Sequence, residues 1–159
     1  MKITNVYFEQ QPAHRTIGIT EKLGFLEKTT EEWECNWRCN GVRRILTVPK
    51  GYVWDGASVP RIAWSIIGLT PGGLVDGPSL AHDVPYRAKG GAFIDKLVGC
   101  TITDVHGDAV RIKRDEVDLV FKYFCVFSGI RKLRAAAAYR AVWGFGRRHW
   151  GGPSPILRG

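Results

Sequence analysis

Three groups of residues in this chain have the types and spacing that could do chemistry. The first is the run Ser79-Leu80-Ala81-His82-Asp83-Val84-Pro85-Tyr86-Arg87. Residues four apart are neighbours on a helix, so His82 and Tyr86 share one face while Asp83 and Arg87 share the next. His82 can serve as general base or metal ligand. Asp83 can bind a cation or pair with Arg87. The plainer alternative is a histidine satisfied inside the core.

The second is Asp118. Its surroundings are apolar almost all round, from Val117 and Leu119 to Phe127. A helix of that kind is buried on most faces, and an unpaired carboxylate there is costly. Lys122, one turn on, is a candidate partner, as is a basic or imidazole group from another helix. Asp118 is therefore either half of a structural ion pair or a site carboxylate. The third group is Asp55-Gly56-Ala57-Ser58. At a strand end before a helix, such a turn can offer backbone donors to an anion or carboxylates to a metal. Asp55 could equally hold the turn together through its own side chain. The Gly-x-Ser-x-Gly frame of a nucleophile elbow is absent.

These groups need elements to position them. Trp33, Cys35, Trp37 and Cys39 alternate with Glu34, Asn36 and Arg38, the period of a half-buried strand. Asn40-Gly41 supplies a type I′ turn, and 42–48 returns as the partner strand. Tyr52-Val53-Trp54 is a short third strand, and 3–8 and 17–26 are further strand candidates. Pro60 suits the first turn of a helix over 60–68, followed by a Gly-Pro-rich loop over 69–77. A second short helix starts at Pro78. Pro85 should stop or kink it, because proline clashes with the carbonyl four residues back. A small hairpin is expected around His106-Gly107-Asp108. The strongest helix runs from Asp115 to Phe127 and ends at Gly129, and a last helix runs from about Arg131 to Trp143. The expected fold is α+β: N-terminal antiparallel hairpins forming a small sheet, packed against a C-terminal bundle of three to four helices. Residues 1–150 read as one domain and 151–159 as a flexible tail.

The chain has 159 residues, with 45% apolar and 24% charged side chains, which fits a globular protein and excludes wholesale disorder. No run of 18 apolar residues is present, which excludes a spanning helix, and the start lacks the apolar core of a secretory signal. Cys35, Cys39, Cys100 and Cys125 form neither a disulfide lattice nor a zinc pattern. Reduced, mostly buried cysteines fit a cytosolic setting. The net charge is +8. Residues 1–110 hold 12 basic and 12 acidic side chains, whereas 111–159 hold 11 basic and 3 acidic, so the C-terminal third carries the excess. That third could attract an anionic small molecule, a lipid surface or a nucleic acid. Arg131, Lys132, Arg134, Arg140, Arg147 and Arg148 lie among aromatics, as a stacking and phosphate surface requires.

The run from Val48 to Pro60, Val48-Pro49-Lys50-Gly51-Tyr52-Val53-Trp54-Asp55-Gly56-Ala57-Ser58-Val59-Pro60, resembles the signature of domain-of-unknown-function family 1353, of tailed phages and bacteria. His82-Asp83, Tyr86-Arg87, Asp118, and the stretch from Tyr139 through Gly146 to Trp150 fit the rest of that pattern. Trp54 and Pro85 depart from it. The resemblance implies a phage origin, and with it a place in the host cytoplasm with virion association left open, and brings no established activity. A looser likeness concerns His82-Asp83-x-x-Tyr86, which is similar to the helix motif of secreted phospholipases. That likeness implies a histidine that activates water, a following aspartate that binds calcium, and a second aspartate that orients the histidine. Asp118 would take the orienting role. The cysteine lattice and glycine-rich calcium loop of those enzymes are missing, unless Asp55-Gly56 replaces the loop.

Three functions follow as expectations. One is a phage-encoded hydrolase of an ester or phosphoester. In it His82, Asp118 and Tyr86 are the catalytic group, Asp83 and Asp55 hold a divalent cation (calcium, magnesium or zinc), and Gly56, Ser58, Arg87, Lys122 and Tyr139 lie nearby. The second is a non-enzymatic phage accessory or assembly protein with a phage or host protein partner, in which the same histidine and carboxylates form a structural network. The third is nucleic-acid binding through the basic C-terminal region.

Overall fold

A computed structural model of the chain describes residues 1–20, 24–54, 73–90, 99–147 and 150. The helix expected over 60–68, the Asp55-Gly56-Ala57-Ser58 turn and the 151–159 tail lie outside the described residues.

The strands come first: β1 (Ile3–Tyr7), β2 (His14–Thr20), β3 (Gly24–Thr29), β4 (Trp33–Cys39), β5 (Val42–Val48), β6 (Val53–Trp54) and, later, β7 (Thr101–Thr103). They form two antiparallel sheets among the described residues, one in the order β1-β4-β5-β7 and one in the order β2-β3-β6. The β4–β5 hairpin has the expected register, from Trp33 opposite Val48 to Cys39 opposite Val42. Its turn needs two left-handed residues, and Asn40 (φ 50°) and Gly41 (φ 86°) supply them. The alternation on β4 buries Trp33, Cys35, Trp37 and Cys39. The single strand expected over 17–26 is instead parts of two strands, β2 and β3, which pair with each other. β6 pairs with β3 and so belongs to the smaller sheet rather than extending the hairpin. Thr103 bridges Ala109 across the expected turn at His106-Gly107-Asp108.

Three helices follow: α1 (Asp76–Arg87), α2 (Arg114–Phe127) and α3 (Lys132–Gly146). α1 begins two residues before Pro78. Asp76 opens the first turn, where a carboxylate favours the helix dipole, and its Oδ2 accepts from the Gly73 amide at 2.8 Å. The Gly77 amide donates to Gln11 Oε1 at 2.7 Å. Pro78 then stands in the first turn, where no donor is required.

Pro85 neither stops α1 nor ends it early: the helix continues through Tyr86 and Arg87. Proline removes one donor here, and the last turn is held by other means. Lys89 adopts a left-handed conformation (φ 50°), its amide donates to Tyr86 O at 3.3 Å, and the Gly90 amide donates to Pro85 O at 2.8 Å. That is a Schellman closure, which satisfies the terminal carbonyls. α2 closes the same way: Gly129 (φ 97°) donates to Val126 O and Ile130 to Cys125 O. α3 does not stop at Trp143 but runs through Gly144 to Gly146.

α1 is the centre of the molecule, with every residue from Asp76 to Tyr86 buried. Leu80, Ala81 and Val84 join Trp33, Trp37, Leu46 and Val48 of the larger sheet and Val117, Val120 and Phe124 of α2 in the main core. A smaller core joins Phe121 and Cys125 of α2 to Ala135, Ala138 and Val142 of α3. Trp37 Nε1 donates to buried Glu116 at 2.9 Å, which ties the sheet to the start of α2. The helical order places α2 between α1 and α3, so a polar side chain on α2 can reach both.

Candidate functional site

Asp118 is 0% exposed and stands at that junction. Its Oδ1 accepts a hydrogen bond from the Tyr86 hydroxyl and lies 3.0 Å from His82 Nε2. Its Oδ2 lies 3.2 Å from Arg114 Nη2, an ion pair four residues back on the same helix. The expected partner Lys122 is not used. Its Nζ sits 5.7 Å from the ring centres of Tyr123 and of Tyr139, over their faces. The physical reason is hydration: an ammonium resists drying more than a guanidinium and offers no fixed fork of donors. Arg114 meets three acceptors at once, because it also donates to Tyr86 Oη at 3.1 Å and to the Trp143 carbonyl.

His82 is held on two sides besides the Asp118 bond. Its ring stacks on Tyr86 at 4.0 Å between centres and 30° between planes, and meets Phe121 at 5.3 Å. Of the His82 side chain, 8% is exposed. With a carboxylate at Nε2, that nitrogen carries the proton in the neutral ring and Nδ1 carries the lone pair. No partner meets Nδ1 among the described residues.

Tyr86 was expected to be catalytic. Burial first, then its bond to the Asp118 carboxylate, pushes its hydroxyl well above the ordinary tyrosine range. It therefore stays protonated and acts as a donor that fixes Asp118. Its far side is closed by Trp150, edge-on at 5.0 Å, and by Gly146, where a Cβ would collide with the Tyr86 hydroxyl and ring. Gly146→Ala is expected to cost about 1–3 kcal/mol through overpacking, read as a lower melting temperature. An unchanged melting temperature would show that the end of α3 can move away from Tyr86.

Asp83 and Arg87 form the expected pair on the adjacent face, Oδ2 to Nε 3.1 Å. Arg87 also donates to Val53 O at 2.9 Å and to Tyr52 Oη at 3.3 Å, so it fastens α1 to β6. Asp55, two residues past Val53, and Gly56 and Ser58 lie outside the described residues. Among the described residues, no three His, Cys, Asp or Glu side chains converge as a metal site would require. Nucleophilic cysteine chemistry is disfavoured. All four cysteines are buried and free, and burial pushes Cys35 well above its usual range and Cys100 up to about 12.

A second polar cluster was not expected. His14 Nδ1 lies 2.9 Å from Glu27 Oε2, and its Nε2 lies 3.0 Å from Asp76 Oδ2. Burial alone would lower its pKa, but the bonds to Glu27 and Asp76 outweigh that and raise it from 6.5. Both ring nitrogens face carboxylates, so the imidazolium can donate twice and bind the smaller sheet to the start of α1. A folded-state pKa above the unfolded value contributes stability below pH 6.5, lost as pH rises through the raised value. The melting temperature of the wild type should therefore exceed that of His14→Gln most at about pH 5 and least at about pH 8. A difference that does not change with pH would contradict this charge state.

Sequence reasoning brought His82, Tyr86 and Asp118 together, and it gave Asp83 either a cation or Arg87 as partner, of which the structure has the Arg87 pair. It missed Arg114, although its spacing from Asp118 is the ordinary helical ion-pair spacing. It also missed Gly146 as the packing partner of Tyr86, and His14. No signal in the sequence linked His14 to residues as distant as Glu27 and Asp76. No curated protein and no solved structure matches the chain. The family model described as a protein of unknown function, DUF1353, matches residues 31–142, from just before β4 to near the end of α3. That span contains His82, Tyr86, Arg114 and Asp118 and leaves His14 outside, and by this match over most of its length the chain belongs to the DUF1353 family.

Proposed function

We propose that the chain is a hydrolase in which His82 is the general base and water is the nucleophile, acting on an ester or phosphoester. The observation that carries this reading is the His82 Nε2–Asp118 Oδ1 contact at 3.0 Å, with no described partner on Nδ1. Such a base must hold its proton on one nitrogen and offer the other. Water would give its proton to Nδ1 as its oxygen bonds to the carbonyl carbon or phosphorus. The imidazolium so formed, facing Asp118, would then return that proton to the leaving oxygen. Asp118, Tyr86 and Arg114 are positioning residues in this scheme. A divalent cation would require Asp83 to exchange Arg87 for the metal and a second carboxylate from the segment of Asp55. The proton path through His82 stands without it. We place the activity in the cytoplasm of a phage-infected host, the setting that the sequence resemblance implies.

The test is hydrolysis of nitrophenyl esters and of bis(nitrophenyl) phosphate by wild type and His82→Ala. Turnover by the wild type that His82→Ala lowers by about 10²-fold or more supports the reading. A wild-type rate matched by His82→Ala overturns it. A second reading has one observation in its favour, the complete burial of Asp118 among groups from α1 and α2. In that reading the network pins the helices and does no chemistry.

A further inference from the structure

Among the described residues, α3 carries a strong charge that no ion pair balances. Its buried stripe faces α2 at Ala135, Ala138 and Val142 and Tyr86 of α1 at Gly146. The opposite side looks outward. Leu133 is 87% exposed on that side, and Trp143 and Phe145, on the two flanks of the helix, are 53% and 55% exposed. Residues 131–147 contain five basic side chains, Arg131, Lys132, Arg134, Arg140 and Arg147, and no acidic one. All five are exposed, and none is in an ion pair among the described residues. Three of them crowd the start of the helix, where a positive charge opposes the dipole and destabilises the helix. They are therefore not explained by the stability of α3.

We propose that this outward face of α3 docks on an anionic lipid bilayer, independently of any chemistry at His82. Two features select lipid among anionic partners. An aliphatic side chain as exposed as Leu133, between Lys132 and Arg134, gains nothing against phosphates or stacked bases but gains from an acyl boundary. Trp143, on the flank beside Arg140 and Arg147, suits the headgroup level, where an amphipathic ring is stable. Long arginine and lysine stems can lie along the same boundary with their charges at the phosphates. A second copy of the chain is disfavoured, because it would set five cations against five. The face is also close to the candidate site, since Arg114 donates to the Trp143 carbonyl, but docking is read without turnover.

The experiment is flotation of the full chain with vesicles of three parts phosphatidylcholine to one part phosphatidylglycerol, against phosphatidylcholine alone, at about 0.1 M salt. The expected result is partition at least about tenfold stronger into the anionic vesicles. Leu133→Gln, and separately the pair Arg140→Gln and Arg147→Gln, should each weaken it by about tenfold. All these positions are exposed, so the variants should melt as the wild type does. Equal partition into neutral vesicles, or none into either, overturns the proposal. So does binding that the arginine pair weakens but Leu133→Gln leaves unchanged, since that is charge attraction only. Tighter binding to a single-stranded oligonucleotide than to the anionic vesicles at the same salt would assign the surface to nucleic acid instead.

Discussion

Asp118→Ala is expected to lower the stability of the protein by about 3–5 kcal/mol, the loss typical when one partner of a buried pair is removed. For a domain of this size that corresponds to a melting temperature lower by about 10 °C. The reason is what remains. Arg114 keeps a positive charge beside the Tyr86 hydroxyl with no carboxylate to face it. The Tyr86 hydroxyl and His82 Nε2 lose the acceptor that both now share. Asp118→Asn removes the charge but keeps an acceptor, so it should cost less. A loss of turnover in Asp118→Asn larger than its loss of stability would mark the carboxylate as acting through His82. If Asp118→Ala melts with the wild type, the network is not the junction of α1 and α2, and both readings of the site fall together.

His82→Ala should behave in the opposite way. It removes a ring stacked on Tyr86 and one of the donors to Asp118, yet Tyr86 and Arg114 still satisfy that carboxylate. The stability cost should be about 1–2 kcal/mol, an ordinary value for one side chain and one hydrogen bond. The cost in turnover should be about 10²–10⁴-fold, the usual contribution of a positioned general base. A purely architectural network predicts a large loss of stability and no turnover to lose. The ratio of the two effects at His82 and Asp118 therefore separates the readings. Large loss of rate with small loss of stability at His82, and both losses at Asp118, is the pattern of a base and its positioning carboxylate.

Part of this arrangement was legible in the sequence because it is local. The period-two pattern of β4 and the Asn40-Gly41 turn each act through near neighbours, and both appear where the pattern puts them. The pairing of Asp83 with Arg87 and the stacking of His82 on Tyr86 follow from helical spacing alone. Pro85 misled because its local cost is real, but the closure at Lys89 and Gly90 offsets it from outside the helix. Asp118 could be recognised as needing a partner from its apolar surroundings. The choice of Arg114 over Lys122 depended on which side chain could also reach Tyr86 and the Trp143 carbonyl, and that is set by how α3 packs on α2. The His14 cluster was invisible for the same reason: its carboxylates come from β3 and α1, and only the tertiary fold brings them to one imidazole.

The central claim is that Asp118 holds His82 with its proton on Nε2, leaving the lone pair on Nδ1, which meets no partner among the described residues. It can be measured without a substrate, by nitrogen NMR of the histidine rings in the wild type and in Asp118→Asn. The account predicts that neutral His82 in the wild type is protonated at Nε2 alone, and that this preference weakens in Asp118→Asn. A neutral His82 protonated at Nδ1, or a tautomer unchanged in Asp118→Asn, would contradict it.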